Sequence, residues 1–364
     1  MGGANGPVLT PPGHRGVRGI EKPKFSGKQR QDAGVLPFGS TSEMRMLRIL
    51  TYHRIAEPEG SGTLNPFLIS AAPREFERQM AHLEKHYQAV SAAIVLDALR
   101  GKARLPDRAV LVTFDDAYRD FAAVAWPILR HHHIPTTLFV PTAFPGNPRR
   151  AFWWDWLSCS VLGSEKKELK CGPLGKVSLK SRPERRKALR LIQNYAKTLP
   201  HREALEFVDQ VRVELGGESP EDALLSWDEL RKLARQGVTM GTHTSSHALL
   251  TRVPPSVVRE EIRNSLADLR REIRAVLPIL AYPGGAHNES ILNIAREEGI
   301  EMAVTTQDGH NDLASADPLR LSRTNVTPRT TMPILHIRLS RLGARLDTWR
   351  HRRQRIEIAT QQAG

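Results

Sequence analysis

Short apolar runs alternate with amphipathic stretches along most of the chain. Met46 to His53 is a strand-like run that opens the patterned part of the sequence. Residues 73–100 read as a helical unit, because Phe76, Met80, Leu83 and Tyr87 recur at spacings of three or four. Ala109 to Phe114 is a continuous β-type apolar run, suited to a strand buried on both faces, and it ends in Asp115-Asp116. Phe121 to His132 reads as helical and Thr136 to Val140 as the next strand. Residues 156–225 break the rhythm with a Lys-, Arg-, Glu- and Leu-rich stretch that reads as a helical insertion. The rhythm resumes at Ser226-Trp227-Asp228-Glu229, a capping box opening a helix to Gln236. A short strand over 237–241 leads into His243, and residues 254–277 form an amphipathic helix. Ile279 to Tyr282 is a strand that breaks at Pro283-Gly284-Gly285, followed by a helix over 289–298 and a strand over 303–306. Alternating strands and helices predict parallel βα units. Such folds gather their chemistry at the C-terminal ends of strands, where Asp115-Asp116, His243 and the 282–285 turn all fall.

The ends differ from this middle. Residues 1–44 are rich in Gly, Pro, Ser and Lys without an apolar period, and are expected to be disordered. The 364 residues carry a formal charge of +14. Residues 1–45 hold seven Lys and Arg against three acids, and residues 338–364 hold seven Arg against two acids. The basicity therefore sits mostly in two tails, which would suit peripheral contact with an anionic membrane. The second tail could form a basic helix from Arg338, apolar at Leu339, Leu342 and Leu346. A specific nucleic-acid function is not expected, since zinc-finger spacing and dimerising heptads are both lacking. No apolar run approaches the roughly 18 residues of a membrane span, and the N-terminus lacks a signal-peptide core. A cytoplasmic location is the expectation, with the inner membrane face as the place where basic tails would act. Two cysteines, Cys159 and Cys171, supply neither a disulfide framework nor a four-cysteine zinc site.

Three features carry candidate chemistry. Asp115-Asp116 is costly after a buried strand unless it meets a cation, a metal or solvent, although Asp also caps helices. His243 and His247 are four residues apart and can share one metal, or can be unrelated surface histidines. Tyr282-Pro283-Gly284-Gly285 makes a tight turn that exposes backbone N–H groups. Each is ordinary alone. Together they offer two imidazoles and one carboxylate, a three-ligand set with open positions, plus a spare carboxylate to act as base. That combination points to metal-assisted hydrolysis.

The chain resembles the polysaccharide deacetylases, carbohydrate esterase family 4, in its exopolysaccharide-related branch. Thr113-Phe114-Asp115-Asp116 resembles the first motif, His243-Thr244-Ser245-Ser246-His247 the second, and Ala281-Tyr282-Pro283-Gly284 a variant of the third. Tyr52-His53-Arg54, Trp126-Pro127-Ile128-Leu129, Phe139-Val140-Pro141 and Trp153-Trp154-Asp155 extend the likeness over about residues 46–335. The resemblance implies an irregular (β/α)7 TIM-like barrel over 45–337, carrying the helical insertion. It implies removal of N- or O-acetyl groups from an acetylated polysaccharide or oligosaccharide. Asp115 would be the general base, and Asp116, His243 and His247 would hold a divalent metal, usually zinc. The Tyr282–Gly284 turn would bind substrate and its oxyanion through backbone N–H groups. Ala117 stands where most members have Gly, and Ala281 where many have an Arg that orients the base. Arg323 is a candidate substitute for that Arg. The general acid is open among His53, His336 and His287. Of Trp153, Trp154 and Trp156, at least two are expected in the core. The same ligand set could serve an amidase on a non-sugar amide. A non-catalytic carbohydrate-binding homologue would more naturally have lost the base.

Overall fold

Odd and even positions of the strands face two different cores, and that alternation builds the molecule. The computed structural model describes residues 46–58, 62–147, 151–216, 220, 223–340 and 343. The segment expected to be disordered, 1–44, lies outside the described residues, as does nearly all of the tail beyond Ser340, Leu342 and Leu346 included.

Among the described residues, one sheet has nine strands, and seven parallel ones form the barrel: β1 (Met46–Tyr52), β2 (Ala109–Phe114), β3 (Thr136–Val140), β4 (Thr239–Thr242), β5 (Ile279–Ala281), β6 (Met302–Val304) and β7 (Thr324–Asn325); Asn311–Asp312 adds an antiparallel edge to β1. Their spatial order is β6-β5-β4-β3-β2-β1-β7. Leu321, just before β7, makes an isolated parallel bridge to Val304 of β6. One segment thus touches both ends of the curled sheet and draws it into a distorted barrel. Inward positions fill the barrel with Leu47, Ile49, Leu111, Phe139, Ile279, Ala281, Met302, Val304 and Leu321. Outward positions such as Leu50, Val112, Phe114, Leu138 and Val140 pack under the helices. Gly241 is an inward position that could hold nothing larger, since a Cβ there would lie 2.6 Å from the Phe139 ring. Carried two residues further, the inward rows become polar: Leu111 is followed by Thr113 and Asp115, Gly241 by His243, and Leu321 by Arg323. The alternation thereby delivers these side chains to one mouth of the barrel.

The structure corrects several boundaries. The 73–100 unit is two helices, Pro73–His86 and Ala92–Leu99. Between them Gln88–Ala89 pairs with the start of β2, and Ser91 caps the second helix through its side chain. The insertion begins at Trp153, with helices Trp153–Gly163, Arg182–Ala196 and His201–Leu215. It also contains an antiparallel hairpin, Glu168–Lys170 with Lys176–Ser178. It has its own core of Leu157, Val161, Leu189, Ile192, Phe207 and Val211. The helix expected from Arg338 is, in its described part, the end of Met332–Leu339. No helix among the described residues is long and apolar enough to cross a membrane.

Outside the barrel, His132 is held between two carboxylates, with Nδ1 2.7 Å from Glu84 and Nε2 2.8 Å from Glu77. Burial lowers its pKa, but these two hydrogen bonds outweigh burial and the net shift is upward. A raised imidazole pKa stabilises the fold below the unfolded value of about 6.5, and the contribution fades as pH rises through the folded value. His132→Asn therefore lowers the urea midpoint most at pH 6. The gap between variant and wild type narrows by pH 9, and a gap constant with pH would contradict the clamp.

Candidate active site

Asp115 follows β2 at the barrel mouth and is 2% exposed. A lone carboxylate there would be too costly to ionise. Arg323, fully buried, supplies the counter-charge with two parallel bonds, Nη1 to Oδ1 at 2.8 Å and Nη2 to Oδ2 at 2.7 Å. The guanidinium is itself fixed, donating Nε–H to the Thr305 carbonyl at 2.7 Å, with Thr113 Oγ1 3.3 Å from Nη1. Burial pushes the Asp115 pKa up, but Arg323 and His243 outweigh it and hold the carboxyl below its usual range. Asp115 is thus ionised and locked in one plane.

Asp116 turns the other way, at φ 74°. Its Oδ1 lies 3.5 Å from His243 Nε2 and 3.3 Å from His247 Nε2, yet makes no hydrogen bond. His243 Nδ1 is 2.7 Å from the Ala281 carbonyl, which can only accept, so Nδ1 carries a proton and Nε2 is the nitrogen turned toward Asp116. A buried carboxylate oxygen thus faces the Nε2 atoms of two imidazoles. The two-His, one-carboxylate set fits a divalent metal with open positions.

The second histidine arrives on a loop, not a helix. Thr244 and His247 both take left-handed backbone, at φ 64° and 59°. Glu261, on the helix Pro255–Glu272, holds that loop by accepting from Ser245 N, Ser246 N and Ser246 Oγ at 2.9, 2.8 and 2.6 Å. Nothing in the local sequence marks Glu261 for this task. Above the ligands lies a cavity of about 220 Å³. Asp115, Asp116, His243, His247 and His53 line it, with Trp153, Trp154, Gly284 and Thr306.

The sequence model for polysaccharide deacetylases matches residues 102–303, more than half of the chain. The chain belongs to the polysaccharide deacetylase family. YxkH of Bacillus subtilis (strain 168), named as a candidate polysaccharide deacetylase, is 20% identical over 303 residues, covering 82% of this chain and 78% of that protein. The poly-beta-1,6-N-acetyl-D-glucosamine N-deacetylase of Escherichia coli (strain K12) is 44% identical, but over only 52 residues, 8% of its length. Among solved structures, the Streptococcus pyogenes deacetylase PplD in complex with acetate shares the fold at a TM-score of 0.55 and 22% identity. That match covers 81% of this chain and 98% of PplD. IcaB from Ammonifex degensii matches at a TM-score of 0.53 and 18% identity, over 81% and 97% of the two chains.

Against the family pattern, the third-motif turn departs from expectation. Ile279 and Ala281 face inward, so Tyr282 faces outward, fully buried in an outer core. Its N–H donates to the Val304 carbonyl at 3.2 Å, so in this structure neither its side chain nor its N–H is offered to a ligand. Of the two turn residues expected at the substrate, Gly284 lines the cavity. His336 is exposed on the last helix with its ring near His82, and His287 stacks on Tyr282; neither lines the cavity, whereas His53 does. Of the three partly buried tryptophans, Trp153 packs against the insertion core and Trp154 against Phe144 and Phe152, and both also wall the cavity. Trp154 packs edge-on to His247 at 4.7 Å and donates to Tyr118 Oη, which donates to Asp155. Asp155 lies beneath this chain, its pKa pushed up to about 7 by burial.

Ala117, where the family usually has Gly, sits at φ 54°. Left-handed backbone costs a residue with a Cβ about 1–2 kcal/mol. Ala117→Gly should therefore leave the unfolding midpoint unchanged or higher, and a loss of about 1 kcal/mol would show that no strain is stored there. Arg323→Ala leaves Asp115 buried and uncompensated. It should cost about 3–5 kcal/mol in denaturant unfolding, and the double variant Asp115→Leu/Arg323→Met should recover much of that.

Proposed function

We propose that the protein is a zinc-dependent hydrolase that removes acetyl groups from an amino sugar within a polysaccharide or glycan intermediate. The observation that carries this reading is the Arg323-gripped Asp115 beside the Asp116–His243–His247 ligand set. A bound divalent ion supplies Lewis-acid polarisation of the acetyl carbonyl. The protein supplies the proton traffic. Asp115, ionised and immobile, accepts the proton of the water that attacks the carbonyl carbon. Arg323 orients its oxygens and keeps it ionised at neutral pH. As the C–N bond breaks, the leaving amine needs a proton, and His53, which lines the cavity beside Asp115 and Asp116, is the imidazole assigned to give it. Trp153 and Trp154 offer flat apolar faces of the kind on which sugar rings stack. The family membership and the acetate-bound PplD relative support the same reading.

The test is acetate release from N-acetylglucosamine oligomers by zinc-loaded protein, with folding of each variant checked by circular dichroism. Asp115→Asn and His53→Gln should each lower kcat by about 10²- to 10⁴-fold while zinc stoichiometry holds. His247→Ala should lose both zinc and activity. Full zinc occupancy with no acetate released from neutral or acidic N-acetylated sugars would overturn the sugar deacetylase reading.

A further inference from the structure

The helical insertion does more than decorate the barrel. The C-terminal part of helix Arg182–Ala196 and the start of helix His201–Leu215 bring Gln193, Lys197 and His201 to the wall of the same cavity. The loop after His247 brings Arg252. Gln193 and Lys197 are one turn apart and share a helical face. Gln193 is 6% exposed, and its Nε2 is buried with no hydrogen-bond partner. A buried amide donor left unpaired costs roughly 1–3 kcal/mol, so turning the Gln193 amide toward an acceptor in the cavity would relieve a real penalty. Neither Lys197 nor Arg252 pairs with a carboxylate among the described residues. Desolvation lowers the Lys197 pKa with no acid offsetting it.

The charge balance of the cavity points the same way. Its lining contains two acids, Asp115 and Asp116. Arg323 neutralises the first, and a divalent ion would over-neutralise the second. Lys197 and Arg252 then stand in excess, beside the donor of Gln193. A neutral sugar polymer makes no use of that excess, and the cationic amine left by deacetylation is repelled by it. At about 220 Å³ the space is smaller than the roughly 300 Å³ at which drug-sized pockets begin, so it suits one sugar unit with a small substituent.

We infer that Gln193, Lys197, His201 and Arg252 form an acceptor site for an anionic group, a carboxylate or a phosphate, carried by the acetylated sugar or its immediate neighbour. The inference rests on the deacetylase reading and names its substrate class: an acidic N-acetylated glycan in place of a neutral one. The insertion is then the specificity element and the barrel the chemical one.

Three sugars test it on the zinc-loaded full chain: a neutral N-acetylglucosamine oligomer, an N-acetylglucosamine–glucuronate disaccharide and N-acetylglucosamine 1-phosphate. Quenching of tryptophan fluorescence on rapid mixing reads binding before turnover, and acetate release reads kcat/KM. At least one anionic sugar should bind about tenfold tighter than the neutral one, and the preferred one identifies carboxylate or phosphate as the source. Lys197→Glu and Arg252→Glu should each cut that preference by about fivefold, through KM more than kcat, and added salt should weaken it. Gln193→Glu should abolish it; if that variant fails to fold, the two rim variants carry the test. Equal binding of neutral and anionic sugars, or a preference unchanged in both rim variants, overturns the inference. Acetate release from none of the sugars would instead count against the deacetylase reading, and the binding ratio would still decide this one.

Discussion

One buried ion pair organises the mouth of the barrel. Asp115 sits at the end of the second barrel strand and Arg323 just before the last, 208 residues apart in sequence and bonded twice. Burying either charge at that depth without the other would carry a large desolvation penalty. The pair therefore ties the closing segment of the barrel to its central strands. It also fixes the geometry of the proposed base and keeps it deprotonated. Stability and chemistry meet in a single contact, and the protein cannot loosen one without losing the other.

The ligand set depends on a different constraint, backbone strain held in place by surrounding structure. Asp116, Ala117, Thr244 and His247 all take positive φ, a conformation that L residues adopt at a cost. Glu261 holds the histidine loop from one side, and Trp154, anchored through Tyr118 to Asp155, packs against His247 from the other. Strained positions gathered on two loops that meet at one point are what a preorganised site needs, because the ligands are already in place before any cation arrives.

Much of this was legible in the sequence, for reasons that can be named. The barrel strands announce themselves because both faces are buried, so Ala109 to Phe114 reads as an unbroken apolar run. The ligand candidates are legible because Asp116 closes such a run and His243 and His247 stand four residues apart. The outward turn of Tyr282 was not legible: Ile279 to Tyr282 is apolar throughout, so only the packed barrel shows which side faces in. Other features depend on contacts far apart in the chain. Glu261 looks like any helix-surface acid until the loop it holds is in view. The break between the first two helices hinges on pairing of Gln88–Ala89 with a strand 20 residues later. The reach of Arg323 to Asp115 requires the sheet to curl, which no local pattern encodes.

The central claim is that Asp116, His243 and His247 hold the divalent ion next to an Arg323-gripped Asp115. Anomalous diffraction at the zinc edge, from crystals of the zinc-loaded protein, tests it most directly. The account predicts one strong peak about 2.0–2.2 Å from Asp116 Oδ1 and from the Nε2 atoms of both histidines, with the Asp115–Arg323 pair intact. A peak elsewhere instead, or an empty Asp116 site at full zinc loading, would contradict it.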